Sequence, residues 1–293
     1  MMQGRAMLIV FLGACSYGIL STIVKLSYKV GFTVQEVTGI QLLLGAITFW
    51  LINGVQHLLM RKEGSRMAHQ NKLTLKEKGK LLLMGMPIGL TSITYYICVR
   101  YVPASLAILF LFQFTWIGML LESIISGRRP SRLQLVSLFF LLFGTFLATG
   151  ITSVGWENFN VPGVFFGLLA ALSYALFIFF NSRANSNVPT ITRNQWMLTG
   201  AVLISLPIFP PEFIFNGALG KGLIAYGIPL ALFGAIIPPF FYAIGVPKTG
   251  VNMASVLSAA ELPVAVFVSS MVLKETVSFS QWMGVIIILA GII

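Results

Sequence analysis

The sequence predicts an all-α membrane protein of ten transmembrane helices in two inverted five-helix repeats. Three observations predict it: scarcity of charge, apolar runs of membrane-spanning length, and an offset self-similarity between the halves. Of 293 residues, 57% are hydrophobic and 9% are charged. A soluble domain carries about 25% charged residues to cover its surface, so the outer surface of this chain must be lipid. Its apolar runs of about 15–25 residues match the length a helix needs to cross the hydrocarbon. Lipid offers the backbone no water, so each span must be a helix or part of a closed barrel. Continuous apolar runs, without alternation, decide for helices.

The ten spans fall at 6–27, 37–58, 81–100, 103–126, 133–152, 162–183, 194–215, 223–245, 250–272 and 279–293. The seventh holds Pro207, Pro210 and Pro211, and the tenth is short. One connection is long, His57 to Lys80, and its Arg, Lys and Gln content reads as a solvated loop. With the N-terminus in the cytoplasm, fourteen of the nineteen Lys and Arg residues lie on that side. That bias is the usual one for cytoplasmic loops. A multi-pass protein of the cytoplasmic (inner) membrane, N-terminus inside, is therefore expected. The net charge of +11 is accounted for by those loops, and with no separate basic domain nucleic acid is excluded as a partner.

The repeat sets the architecture. A shift of 147 lays residues 95–144 on 242–291 without a gap. Tyr95 meets Tyr242, Ala107 meets Ala254, Ser131 meets Ser278, Gln134 meets Gln281, and Gly144 meets Gly291. A shift of 157 lays Ser16-Tyr17 on Ser173-Tyr174. Five spans per copy is odd, so the second copy enters the membrane from the opposite side. Residues 1–152 then form the first repeat and 153–293 the second. Inverted repeats of this kind characterise secondary transporters, whose sites lie near midplane between the copies. Ile293 aligns with Phe146, short of the fifth span's end, so the tenth helix is expected to be incomplete in this sequence.

Several segments resemble the drug/metabolite transporter superfamily, specifically its EamA-type members. They are Ser16-Tyr17-Gly18 followed by Lys25; Tyr101-Val102-Pro103-Ala104-Ser105-Leu106-Ala107; Glu261 with Pro263, then Glu275; Gln281-Trp282-Met283-Gly284; and Ala290-Gly291. The chain departs from that pattern at Arg128, where the family has Glu, at Gln41, where it often has Arg, and at Pro263, one place late. The resemblance implies an exporter or exchanger of metabolites, amino acids or drugs. It also implies a cavity lined by the first, third, fourth, sixth, eighth and ninth helices.

Catalysis has little to work with. The chain contains no Asp, both His residues (His57 and His69) sit in the predicted loop, and no Walker-type phosphate loop occurs. No enzyme activity, metal or cofactor is expected. Counted into their spans, Tyr17, Gln113, Tyr174 and Glu261 all fall near midplane. Glu261 stands out, because a carboxylate at a helix centre costs roughly 2.5–3.5 kcal/mol on insertion scales and is kept for a purpose. It can carry a proton or hold a cationic group; hydrogen-bonded structural glue is the competing reading. Trp116 shares a helical face with Gln113, and both can meet a ligand or simply pack. Tyr17, Tyr95 and Tyr174 complete the expected substrate-binding set with Gln113, Trp116 and Glu261, and Glu261 is the expected proton-coupling residue.

Outside that set, Trp50 and Trp156 read as interfacial belt residues and Lys25 as a snorkelling side chain. Glu122 reads as an ion-pair partner of Arg128 and Arg129. Pro87, Pro229, Pro238, Pro239 and Pro263 are expected to interrupt their helices. Together these readings imply an alternating-access carrier for a small amphipathic metabolite, an amino acid or drug-like compound among the candidates. Its partners are that small molecule and the lipid bilayer, and a homodimer is left open. The alternative is a non-transporting receptor or scaffold, with no wet pocket at midplane.

Overall fold

A computed structural model describes residues 2–62, 73–102, 104–127, 129–148, 160–184, 188–274 and 277–292. Among them there is no strand. The helices are α1 (Met2–Lys29), α2 (Val34–Lys62), α3 (Leu75–Tyr101), α4 (Ala104–Leu111), α5 (Phe114–Ser126), α6 (Arg132–Ala148), α7 (Val161–Ser182), α8 (Thr190–Ile208), α9 (Leu219–Thr249), α10 (Val251–Ser258), α11 (Glu261–Leu273) and α12 (Phe279–Ile292). Among the described residues, seven helices are long and apolar enough to cross a membrane, with Ala107–Ser126 and Val251–Leu273 each taken as one. The chain is a multi-pass helical membrane protein. Helices α6 and α12 are apolar but shorter, and α8 opens with the polar run Thr190–Gln195.

Several boundaries differ from the sequence reading, each for a local reason. Helix α2 continues to Lys62, so His57 is helical and exposed rather than in a loop. Helix α3 starts at Leu75, because Thr74 and Glu77 form a reciprocal capping box that satisfies two orphan donors. Helix α8 stops at Ile208 instead of near 215; Pro210 and Pro211 follow, then a 3-10 turn at Glu212–Ile214. His69, Pro103, Arg128, Trp156, Glu275 and the expected boundary at 152–153 lie outside the described residues.

Before Pro238, α9 widens rather than stops, and Ala231–Ile236 is π-helical. Nearer its start the element is kinked, with Gly222 at φ 95°. Pro238 has no N–H to offer the turn before it. Ser16 Oγ fills the need, donating to the Phe233 carbonyl at 3.1 Å.

A break was expected in the ninth stretch, at Pro263, and none in the fourth. The fourth apolar stretch bends at Phe112–Gln113 and the ninth at Ala259–Ala260. These sites are 147 residues apart and share a hydrogen-bond pattern. Gln113 N donates to Phe110 O at 3.2 Å, as Ala260 N does to Leu257 O at 3.2 Å. Both α5 and α11 end on a left-handed residue, Gly127 (φ 63°) and Lys274 (φ 53°), again 147 apart. Ser131 with Gln134 and Ser278 with Gln281 form matching capping boxes before α6 and α12.

The packing has the same two-fold character. Helix α1 lies on α9 and on α10–α11, as α7 lies on α3 and on α4–α5. Helix α2 packs on α9 as α8 packs on α3, and α2 meets α8 while α6 meets α12. Small residues allow the close crossings that membrane helices use in place of a hydrophobic driving force. A β-carbon on Gly85 would run into the backbone of Met197, and one on Gly200 into that of Leu82. The Gly144 and Gly284 backbones meet in the same way between α6 and α12. Substituting Gly200→Val should therefore destabilise the α3–α8 crossing by about 1–3 kcal/mol or more. Gly79→Ala, in open space, should change little; unfolding in detergent measures both.

Candidate functional site

A cavity of about 170 Å³ lies in the middle of the bundle. On α1 its wall runs from Tyr17 through Ser21, Val24 and Lys25 to Tyr28, a climb of roughly 16 Å at 1.5 Å per residue. Helix α3 adds Thr91, Ser92, Tyr95 and Tyr96, and α4 adds Ile108 and Leu111. Tyr174 and Phe177 of α7 and Gly234 of α9 also face it. Glu261, Ala265 and Ser269 of α11 complete that wall. Gln41, Ala148 and Gln281 extend the lining to α2, α6 and α12.

Most polar groups here are already engaged with their own helices. Ser21 Oγ donates to Gly18 O at 3.0 Å, Thr91 Oγ1 to Pro87 O at 2.7 Å, and Ser269 Oγ to Val266 O at 3.2 Å. Tyr96 Oη donates to Gln41 Oε1 at 3.0 Å. Two groups differ. The Tyr28 hydroxyl and the Glu261 Oε2 atom are buried and have no hydrogen-bond partner among the described residues. Glu261 stands in the first turn of α11, directly after the break, where the helix N-terminus favours negative charge. Gly18 lets α1 approach that point, since a β-carbon there would come within 2.5 Å of the Glu261 carbonyl.

Below Tyr17 the path is shut by aromatic rings and a chain of hydroxyls. Tyr17 presents its edge relation to Tyr174 and Tyr242 at 5.8 and 6.1 Å between centroids. Phe177 stacks on Tyr242 at 5.6 Å, and Phe114 leans on Tyr174 at 4.5 Å. Each such pair contributes about 0.5–1.5 kcal/mol beyond its burial. Ser258 Oγ commits its proton to Ala254 O at 2.7 Å. It must then accept from Tyr242 Oη at 2.7 Å, which in turn accepts from Tyr174 Oη at 3.0 Å. The chain therefore has one direction, Tyr174 to Tyr242 to Ser258. Tyr242 is fully buried.

Of the six residues expected to meet substrate, the structure brings Tyr17, Tyr95, Tyr174 and Glu261 to the cavity. Gln113 and Trp116 go elsewhere. Gln113 sits at the α4–α5 break, its amide donating to Leu109 O at 3.0 Å and its Oε1 accepting from Trp116 Nε1 at 2.8 Å. Trp116, 39% exposed, faces outward. Helical spacing puts the two on one face, where they bond each other and neither lines the cavity.

Lys25 lines the cavity instead of snorkelling along lipid. Glu122 pairs with Arg183 at the end of α7, at 3.3 Å, and Trp50 faces outward with its Nε1 on Thr199. Tyr28, Gln41, Tyr96 and Gln281 were missed. Their signal was one of helical period: Tyr28 lies eleven residues, three turns, beyond Tyr17 on the same face.

A multi-pass helical membrane protein whose breaks and π-turns gather around a central cavity is the class these features define. The particular family follows from comparison. The profile described as EamA-like transporter family matches residues 4–150 and, a second time, 161–293, and the chain belongs to that family. The chain is similar to the "Uncharacterized inner membrane transporter YicL" of Salmonella typhimurium, 26% identical over 165 residues that cover 56% of this chain and 55% of that protein. It thus spans about half the length of that curated relative. An "Uncharacterized transporter" of Archaeoglobus fulgidus is 25% identical over 214 residues, 72% of this chain and 74% of that one. A crystal structure sharing 18% identity superposes with a TM-score of 0.72, covering 99% of this chain and 96% of its own, a likeness of fold alone.

The Gln41–Tyr96 pair provides a test of the wall. Gln41→Leu strands a buried Tyr96 hydroxyl and should cost about 1–3 kcal/mol, whereas adding Tyr96→Phe should restore part of that loss. Thermal unfolding of the two single variants and the double variant in detergent measures the coupling.

Proposed function

We propose that this chain is a secondary transporter that carries a small amphipathic metabolite across the cytoplasmic membrane by alternating access. The observation that carries the reading is the central cavity, bounded by a buried carboxyl oxygen at Glu261 with no partner among the described residues and closed at one end by the Tyr174–Tyr242–Ser258 chain. A cavity sealed at one end by such a chain is what one state of a carrier requires. Ten transmembrane helices in two inverted repeats, with the N-terminus in the cytoplasm, are part of the same proposal. Its support is the matched geometry 147 residues apart and a packing scheme that survives exchange of the halves. The transporter names of the relatives from Salmonella and Archaeoglobus point the same way.

The cavity is smaller than the roughly 300–1,000 Å³ of drug-sized sites, which favours a metabolite. Tyr17, Tyr95, Tyr174 and Glu261 are its proposed contacts. Transport is driven by the cargo's own gradient or by protons carried through Glu261; export and exchange both fit that role.

The test is uptake and efflux in proteoliposomes against a panel of amino acids and small amines, with and without a pH gradient. Flux of at least one compound is expected, and Glu261→Gln should abolish its response to the gradient and slow it at least about tenfold, about 1.4 kcal/mol in the barrier. A folded Glu261→Gln protein with unchanged flux and pH response would remove the coupling role. No flux of anything, with ligand bound on one side only, would favour a receptor.

A further inference from the structure

The sealed half of the molecule, between Tyr174 and the Arg183 end of α7, contains buried polar atoms that the proposed transport site does not use. Asn181 Oδ1, Ser255 Oγ and Arg193 Nε are all buried without a hydrogen-bond partner among the described residues. Asn181 and Ser255 are 0% exposed and Arg193 is 3% exposed. Folded proteins leave few such atoms unpaired, and each calls for an explanation. Arg193 is the most demanding. Its Nη2 donates to the Ala243 carbonyl, and no carboxylate bonds it among the described residues. A buried cation without a counter-charge is a costly arrangement unless something else supplies the charge.

Position explains what these groups share. Asn181 is one turn from Phe177 on the same face, and Ser255 one turn from Ser258, so both continue the wall below the hydroxyl chain. By the offsets of 157 and 147, Tyr174, Asn181, Tyr242 and Ser255 correspond to Tyr17, Val24, Tyr95 and Ile108. All four counterparts line the open cavity. Arg193 itself corresponds by the 157 offset to Glu36, outside that cavity, but the Ala243 it holds corresponds to Tyr96, which lines it. The closed half thus carries hydrogen-bonding groups at the very positions that form a cavity wall in the other half.

We infer that the closed half is a second, collapsed ligand half-site, in which Asn181, Ser255 and Arg193 receive the carboxylate end of the cargo once the Tyr174–Tyr242–Ser258 chain opens. The inference rests on the alternating-access reading and adds a ligand chemistry to it. A guanidinium offers parallel donors that fit a carboxylate, and neutral Asn and Ser groups can complete its hydrogen bonding. In the present arrangement Arg193 of α8 is held back by the Ala243 carbonyl of α9, so opening α9 away from α8 frees it.

Thiol labelling of the full-length protein in vesicles tests this without knowing the cargo. Ser255→Cys and Asn181→Cys are made separately with Cys15 and Cys98 replaced by Ser. Each is probed from the N-terminal face with an anionic sulfonatoethyl and a cationic trimethylammonioethyl methanethiosulfonate reagent. Tyr242→Phe, which cuts the chain but keeps the ring, should speed labelling about tenfold; Ser258→Ala, which cuts the next link, should do the same. Adding Arg193→Gln should lower the ratio of anionic to cationic rates about tenfold. Thiols that stay unreactive in both chain-breaking variants would overturn the half-site. Faster labelling with an unchanged charge ratio would overturn the carboxylate assignment. Absent flux with the full labelling pattern intact would count against the carrier reading instead, so the two fail separately.

Discussion

A backbone polar group in hydrocarbon has no water to turn to, and the architecture follows from where the chain can break that rule. Irregular backbone is tolerated at membrane depth only beside protein or a wet cavity. The breaks at Phe112–Gln113 and Ala259–Ala260 and the π-turn at Ala231–Ile236 all adjoin the central cavity, through Phe112, Glu261 and Gly234. The freed groups are taken up locally. Ser16 serves the Phe233 carbonyl and the Gln113 amide serves Leu109. The break at Ala259–Ala260 places Glu261 at a helix start, beside the cavity, with an oxygen that has no partner among the described residues.

The two ends of the cavity differ because residues matched at the 147 offset meet unlike neighbours. Tyr95 and Tyr242 are equivalent by the 147 offset, yet the first lines the open cavity and the second is buried in the seal. What separates them is the partner each finds. Tyr242 has Ser258 and Tyr174 to bond, whereas the counterpart of Ser258 is Leu111, which offers no hydroxyl. One half therefore closes with directional hydrogen bonds, and the other has no equivalent chain to close it.

Charge follows a related division. The cavity wall holds Glu261 and Lys25, while the sealed half holds Arg193 tied to a backbone carbonyl. The ion pair Glu122–Arg183 lies at that end as well, where Arg183 also rests over the Phe179 ring at 4.0 Å. Such contacts tie α5 to α7 at the surface without touching the cavity.

By itself, the sequence determined the membrane class, the position of most helices, and the candidacy of Tyr17, Tyr95, Tyr174 and Glu261. These are readable because lipid imposes length and apolarity on every span, and because a carboxyl at depth is too costly to be incidental. Tertiary structure alone decided which tyrosines face space and which form a seal. It also decided that Gln113 and Trp116 bond each other, and that Lys25 and Gln41 reach the cavity. Helical period fixes which residues share a face, but the face that meets the centre depends on breaks, π-turns and glycine crossings. Those are set by neighbouring helices far away in the chain.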